Sequence, residues 1–308
     1  SSDLALPRGA HPVSNFTLVQ GPPGTGKTRT LLTLLNVLQN QQFDLYYETL
    51  RRFVNDVLFS SKNDFFSSID RLNQARVQMK EKFVKPRILV CTPSNAAVNT
   101  IIDGIIADGF IDNAGLRYNP SILRLGSGTS PAHWSVSMEY IIDDLKNAEA
   151  KESKKKSLQE NLKSINVQID QLFLSLKRLT TQFGGSDLVL SKEYFACVSQ
   201  LIMLFEEKDR LLSFSFIYNS DPNNVRDLQG YLVNNYDIIL TTLSSSGLAA
   251  FDSDYVNRNF STLVIDEACQ ATEVSTLIPL LLNPEKCVLI GDPKQLPATV
   301  ISEKIGRA

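Results

Sequence analysis

Residues 21–28 read Gly-Pro-Pro-Gly-Thr-Gly-Lys-Thr: two glycines frame four residues, and a lysine and a hydroxyl residue follow. That spacing forms a phosphate-binding loop when it lies between a strand and a helix. An apolar run, Phe16 to Gln20, precedes it, and an amphipathic pattern, Thr28 to Leu38, follows. Glycines let successive backbone N–H groups turn inward on an anion, and the new helix adds the partial positive charge of its N-terminus. On this reading Gly21, Pro22, Pro23, Gly24, Thr25, Gly26, Lys27, Thr28 and Arg29 wrap a nucleotide triphosphate. Lys27 reaches the β- and γ-phosphates, and the Thr28 hydroxyl faces Mg²⁺. Without further support, a glycine-rich turn between strand and helix satisfies the same letters.

A second set of residues completes such a site. Leu263-Val264-Ile265-Asp266-Glu267 ends an apolar run in two carboxylates. Beside a phosphate loop, Asp266 would hold Mg²⁺, mainly through water, and Glu267 would polarise the attacking water. Alone, the pair is equally a solvated strand end. A third strand end, Gly291-Asp292-Pro293-Lys294-Gln295-Leu296-Pro297, offers the Gln295 amide as a hydrogen-bonding partner for a γ-phosphate or its attacking water. Its plain reading is a proline-rich exit loop.

The elements that must position these residues are short apolar runs at Phe16–Gln20, Arg87–Thr92, Ser121–Leu125, Tyr236–Thr241, Thr262–Asp266 and Lys286–Gly291. Continuous rather than alternating apolarity suits a parallel sheet covered on both faces. With helical patterns between them, such as Asn95 to Asp108, the expected fold is a doubly wound α/β domain. Two segments break the rhythm. Residues 41–85 look helical and polar, and His133 to Gly230 form a longer interruption. Within the latter Leu158, Leu162, Ile165, Ile169, Leu172, Leu176 and Leu179 follow a 4-3-4-3-4-3 spacing, an a/d seam. Gly184-Gly185-Ser186-Asp187 supplies a turn, and Tyr194, Val198, Leu201, Phe205 and Leu212 form a second seam. The pair predicts an antiparallel helical hairpin with arms roughly 40 Å long at ~1.5 Å per residue. Spacing leaves two uses open, dimerisation or scaffolding on one side and guidance of a polymer on the other.

Composition narrows the class. The 308 residues are 43% apolar with a net charge of −2, so a nucleic-acid site would have to be local. No run approaches the ~20 apolar residues that span a bilayer, and no signal-peptide core is visible at the N-terminus. Cys91, Cys197, Cys269 and Cys287 lack paired spacing and read as reduced thiols of a cytosolic or nuclear protein. Two histidines, His11 and His133, argue against a histidine-based metal site. Lys154-Lys155-Lys156 is a solvated helix face, with nuclear import or phosphate contact as its functional alternatives.

Taken in order, GPPGTGKT, CTPSNAAVN (91–99), TTLSSS (241–246), VIDEACQ (264–270) and GDPKQLPATV (291–300) resemble the motifs of superfamily 1 helicases. Their wording is similar to the branch containing senataxin and the helicase of nonsense-mediated decay, and the senataxin type most of all. The resemblance implies a RecA-like motor domain over 1–132 and 231–308, and an inserted subdomain over 133–230 projecting over the RNA channel. It implies ATP with Mg²⁺, held by Thr28 and Asp266, and catalytic roles for Glu267, Lys27 and Gln295. Pro93, Ser94, Asn95, Thr242 and Ser244 would meet the nucleic-acid backbone, as hydroxyls, amides and loop N–H groups can without reading bases. The implied partners are single-stranded RNA or DNA, RNA–DNA hybrids included, with 5′-to-3′ movement, a nuclear or cytosolic location and no membrane. The sequence departs from the family at three points. No adenine-reading glutamine lies upstream except Gln20, too close to the loop; Asn99 replaces a more usual aspartate; and the motifs of a second motor domain, with its arginine finger, do not follow. The expectation is a first motor domain of a longer polypeptide. Two other classes compete: a phosphate-loop ATPase with no nucleic-acid track, and an interaction module with a vestigial site.

Overall fold

The structure is a computed structural model that describes residues 15–22, 24–59, 83–182, 191–219, 225–247, 251 and 260–298. Six strands form one sheet: β1 (Phe16–Gln20), β2 (Ile88–Thr92), β5 (Ile122–Arg124), β6 (Ile238–Thr242), β7 (Thr262–Ile265) and β8 (Lys286–Gly291). Their order is β1-β8-β7-β2-β6-β5, and each neighbouring pair is parallel. A separate two-stranded antiparallel ribbon joins β3 (Phe110–Ile111) to β4 (Arg117–Tyr118). The helices are α1 (Lys27–Phe59), α2 (Asn95–Asp108), α3 (Met138–Lys146), α4 (Ala148–Gln182), α5 (Lys192–Asn219), α6 (Val225–Asn234) and α7 (Glu273–Leu280).

Side chains alternate between the faces along each strand, and two cores result. Leu89, Cys91, Ile239, Leu263 and Ile265 pack with Met138 and Ile142 of α3 and Leu228, Leu232 and Val233 of α6. Ile88, Val90, Ile238, Leu240 and Val264 pack on the other face with Leu31 and Leu35 of α1 and Val98, Ile101 and Ile105 of α2. Both faces of β2, β6 and β7 are covered, which explains the continuous apolar runs Ile88–Cys91, Ile238–Leu240 and Leu263–Ile265 within them. β1 is the exception. It sits at the sheet edge, with Phe16 52% and Leu18 76% exposed. The α/β architecture with a RecA-like parallel sheet is therefore present, and α3 and α6 belong to its core although α3 and the first part of α6 fall inside the 133–230 interruption.

The hairpin is present as α4 and α5, packed along one another. Ile165, Ile169, Leu176 and Leu179 are buried, and Leu158, Leu162 and Leu172 partly so. Tyr194, Val198, Leu201 and Phe205 face them, but the last position differs: Leu212 is 41% exposed, and its neighbour Leu211 is buried. A straight helix drifts roughly 20° per heptad against a 3.5-residue repeat, and α5 turns to meet a second partner, α1. That partner is the larger difference from the sequence reading. α1 does not stop near residue 38 but runs unbroken to Phe59, carrying Leu50 and Val54 into the hairpin core. The two interruptions thus share one hydrophobic cluster. Residues 60–82 and the turn at Gly184 to Asp187 lie outside the described residues. The bundle is tied to the base of the sheet where the Tyr47 hydroxyl donates to Glu206 Oε2 (2.6 Å) and Lys85 pairs with Asp237 (3.1 Å), just before β6.

Candidate nucleotide and nucleic-acid site

In a parallel sheet all carboxyl ends lie along one edge, so the strand order decides which loops meet. β1, β8 and β7 are consecutive. The phosphate loop, the Asp292 loop and the Asp266-Glu267 pair are therefore neighbours. Gly21 N–H donates to Gly291 O (3.2 Å) and joins the first two. The loop is shaped by Gly24 (φ 76°) and Gly26 (φ 83°), left-handed angles costly for a residue with a Cβ. It is braced by the Thr25 hydroxyl donating to Pro22 O (2.7 Å), and α1 begins with Thr30 N–H to Gly26 O (2.8 Å). A Cβ on Gly21 would stand 2.9 Å from Lys27 Cγ, so the lysine chain lies back across the start of the loop. Pro23 lies outside the described residues. Arg29 is exposed on the outer side of α1, in a shallow hollow with Thr25, Thr30, Thr33 and Val37, and Thr28 is half-buried.

Lys27 sits near both acidic loops, and its charge favours the ionised form of Asp266 and of Asp292. The two carboxyls nevertheless shift in opposite directions. Asp292 accepts from the Lys294 N–H (3.1 Å) and from Gln295 Nε2 (3.3 Å), and these bonds, the backbone one foremost, hold it below the usual carboxylate range. Asp266 is 5% exposed, and burial pushes its carboxyl up; the Glu267 charge adds to this, while the Glu267 backbone N–H and Lys27 oppose it. Its Oδ1 is buried with no hydrogen-bond partner among the described residues. A desolvated carboxylate oxygen left without a donor is suited to a cation, so the residues fit the Mg²⁺ expected beside Thr28. Glu267 follows in the left-handed region (φ 51°), with Oε2 accepting from Gln270 Nε2 (3.1 Å). That conformation costs on the order of 1–3 kcal/mol for a residue with a Cβ, and such strain gathers at functional positions. Gln295 is held in the same cluster through Asp292.

The ends of β2, β6 and β5 form the other half of the edge. Ser94 caps α2, accepting from Ala97 N–H (3.3 Å), and its carbonyl accepts from the Thr92 hydroxyl (2.7 Å). Pro93 is half-buried beside it, and Ser94 and Asn95 are exposed. Thr242 accepts from Ser245 N–H (3.2 Å) and bonds its hydroxyl (3.0 Å), which leaves Ser244 exposed at the tip. These residues meet through a stretch the motif reading passes over: Gly126 packs against Ser245, and Gly128 against Asn95. At their centre stands Arg124, fully buried. The only signal for it in the sequence is a charge inside the apolar run SILRL, which a strand end also tolerates.

The glycine-lined loop, the acidic pair and the parallel sheet define a phosphate-loop nucleotide-binding domain. The chain belongs to the AAA domain family, whose model matches residues 2–303. Within that family its sequence is similar to helicases of the senataxin type. It is 32% identical over 303 residues to helicase sen1 of Schizosaccharomyces pombe, covering 94% of this chain and 16% of that protein. It is 28% identical to helicase SEN1 of Saccharomyces cerevisiae (93% and 12%), and 31% identical to the probable helicase senataxin of Mus musculus (95% and 10%). The chain thus spans well under a fifth of the length of these relatives. Among the described residues, no helix is long and apolar enough to cross a membrane.

Proposed function

We propose that this chain is the first motor domain of an ATP-dependent helicase or translocase that moves 5′ to 3′ on single-stranded RNA or DNA, RNA–DNA hybrids included. The observation that carries the reading is the meeting of Lys27, Asp266 and the Asp292–Gln295 loop at the ends of three consecutive strands. Residues Gly21 to Arg29 hold the triphosphate, with Lys27 on its terminal phosphates. Thr28 and Asp266 hold Mg²⁺, which supplies charge neutralisation on the phosphate oxygens when bound. Glu267 takes the proton of the attacking water, and Gln295 responds to the γ-phosphate. Pro93, Ser94, Asn95, Thr242 and Ser244 bind the strand through its phosphates, which gives a track without base sequence.

In this division the motor comprises the sheet with α1, α2, α3, α6 and α7, and the hairpin α4–α5 is the inserted subdomain, standing on the far half of α1. A second motor domain elsewhere in the polypeptide supplies an arginine finger, worth about 10³–10⁵ in rate, so this domain alone turns over ATP near background. The setting is nuclear. The test is Glu267→Gln in the full-length protein, assayed for ATP hydrolysis with and without single-stranded RNA. Nucleotide binding persists and hydrolysis falls by about 10²–10⁴, the usual worth of a general base. Unchanged turnover removes Glu267 from the role. An ATPase that no single strand stimulates refutes the track.

A further inference from the structure

Among the described residues Arg124 is the largest side chain wholly removed from solvent, at the end of β5 and beneath the candidate nucleic-acid face. A buried guanidinium is stable only when its donors are met, and here five acceptors meet them. Nη2 donates to Asn95 Oδ1 (2.8 Å) and Ser127 O (3.2 Å). Nη1 donates to Leu125 O (3.1 Å) and Gly126 O, and Nε donates to Asn99 Oδ1 (3.4 Å). All five acceptors are neutral. Glu139, whose negative charge favours the guanidinium, is itself engaged by Gly126 N–H (2.9 Å) and the Ser137 hydroxyl (3.1 Å).

The bond to Asn95 has a directional consequence. A guanidinium carries donors only, so the atom it meets must be the amide oxygen. The Asn95 amide is thereby held oxygen-inward, and its Nδ2 lies against Gly128, where an added Cβ would come within 2.9 Å of it. Asn95 is exposed, and among the described residues no protein acceptor is bonded to its Nδ2. Gly128 has φ 80°, so the loop passes this close without a side chain. An unmet amide donor, locked in direction on an exposed helix start, is a ready contact for a phosphate oxygen.

We infer that Arg124 is the positioning residue of the nucleic-acid face: it never touches the strand, and it turns the Asn95 amide donor outward while clamping the Gly126–Ser127 backbone against it. This rests on the nucleic-acid reading of that face. Arg124→Lys keeps the charge and loses the fork that spans Asn95, Asn99 and three carbonyls. In the full-length protein, binding of a fluorescent single-stranded oligonucleotide by Arg124→Lys weakens roughly tenfold, equal to about 1.4 kcal/mol. Affinity for a fluorescent ATP analogue, bound at the other half of the edge, stays within about twofold, since contacts that share no partner are nearly independent. Asn95→Ala weakens oligonucleotide binding similarly, and the double variant is no weaker than the more affected single one.

Losses that multiply in the double variant overturn the inference, as does an equal fall in nucleotide and oligonucleotide affinity in Arg124→Lys. Asn95→Asp supplies an answer even if Arg124→Lys does not fold. Arg124 grips one carboxylate oxygen and presents the other to the strand, so oligonucleotide binding falls below that of Asn95→Ala. Equality of those two variants overturns the outward amide. Failure of the unmodified protein to bind any single strand instead defeats the functional reading beneath, and this inference with it.

Discussion

Asp266→Asn gives the sharpest test of the nucleotide site, because it moves stability and ligand binding in opposite directions. The Asp266 carboxyl is 5% exposed, and one of its oxygens has no partner among the described residues. A buried polar group left unsatisfied costs about 1–3 kcal/mol, more when charged. Lys27 and the Glu267 N–H offset part of this, so the neutral amide is expected to stabilise the ligand-free fold by about 1–2 kcal/mol. At about 2–4 °C per kcal/mol for chains of 150–250 residues, and about 1.5 °C for one of about 300, the melting temperature rises by roughly 1.5–3 °C. The direction of the pH dependence follows from the raised carboxyl. The folded state holds the proton more tightly than the unfolded one, so the penalty is absent below the ordinary value of 3.8 and appears as pH rises through the raised folded value. The gap between variant and parent therefore closes on acidification. Mg²⁺–nucleotide at a hundredfold excess over its Kd adds about 2.7 kcal/mol to a protein that binds it. The parent gains this and the variant does not, so their order of melting reverses on addition of ligand. The assay is thermal melting by fluorescence at pH 7 and pH 4, with and without Mg²⁺–ATP analogue. A variant that melts below its parent without ligand, or that gains as much from ligand, refutes the reasoning.

Gly21→Ala places a methyl 2.9 Å from Lys27 Cγ; displacing the lysine weakens ATP-analogue binding at least tenfold, about 1.4 kcal/mol, with little change in melting, and unaltered binding would show that Lys27 does not reach the phosphates. In the hairpin, Leu211→Ala costs about 2–4 kcal/mol as a core truncation, whereas Leu212→Ala costs about 0.5 kcal/mol or less; denaturant midpoints showing the reverse would return the seam to the heptad register. Cys269 is exposed, while Cys91 and Cys287 are buried with thiols pushed up by burial, Cys287 to about 11. A thiol reagent at pH 8 labels Cys269 in the native protein and spares Cys91 and Cys287 until denaturant is added, as quantified by peptide mass spectrometry; prompt labelling of Cys91 would contradict the packing of β2.

Much of the fold is legible because parallel strands covered on both faces must be largely apolar, and Ile88–Cys91, Ile238–Leu240 and Leu263–Ile265 are continuous apolar runs. α2 begins at Asn95 and ends at Asp108, as its helical pattern predicts, and the Ser94 cap and Gly109 (φ 63°) mark those limits in space. Leu212 misleads because a heptad count assumes a single partner, and α5 meets α1 and α6 as well as α4.

What the sequence determines on its own is chemistry carried by contiguous residues. The glycine spacing before Lys27, the Asp266-Glu267 pair at the close of an apolar run and the cap at Ser94 are local, since a few consecutive side chains and backbone angles suffice to specify them. The order β1-β8-β7 that brings Lys27 beside Asp266 and Asp292 belongs to the tertiary structure alone, as do the joining of the far half of α1 to the hairpin and the burial of Arg124 under Asn95. Each depends on contacts between segments tens to hundreds of residues apart. Such contacts are selected by shape and by the need to cover apolar surface and satisfy buried donors, and no spacing along the chain records that.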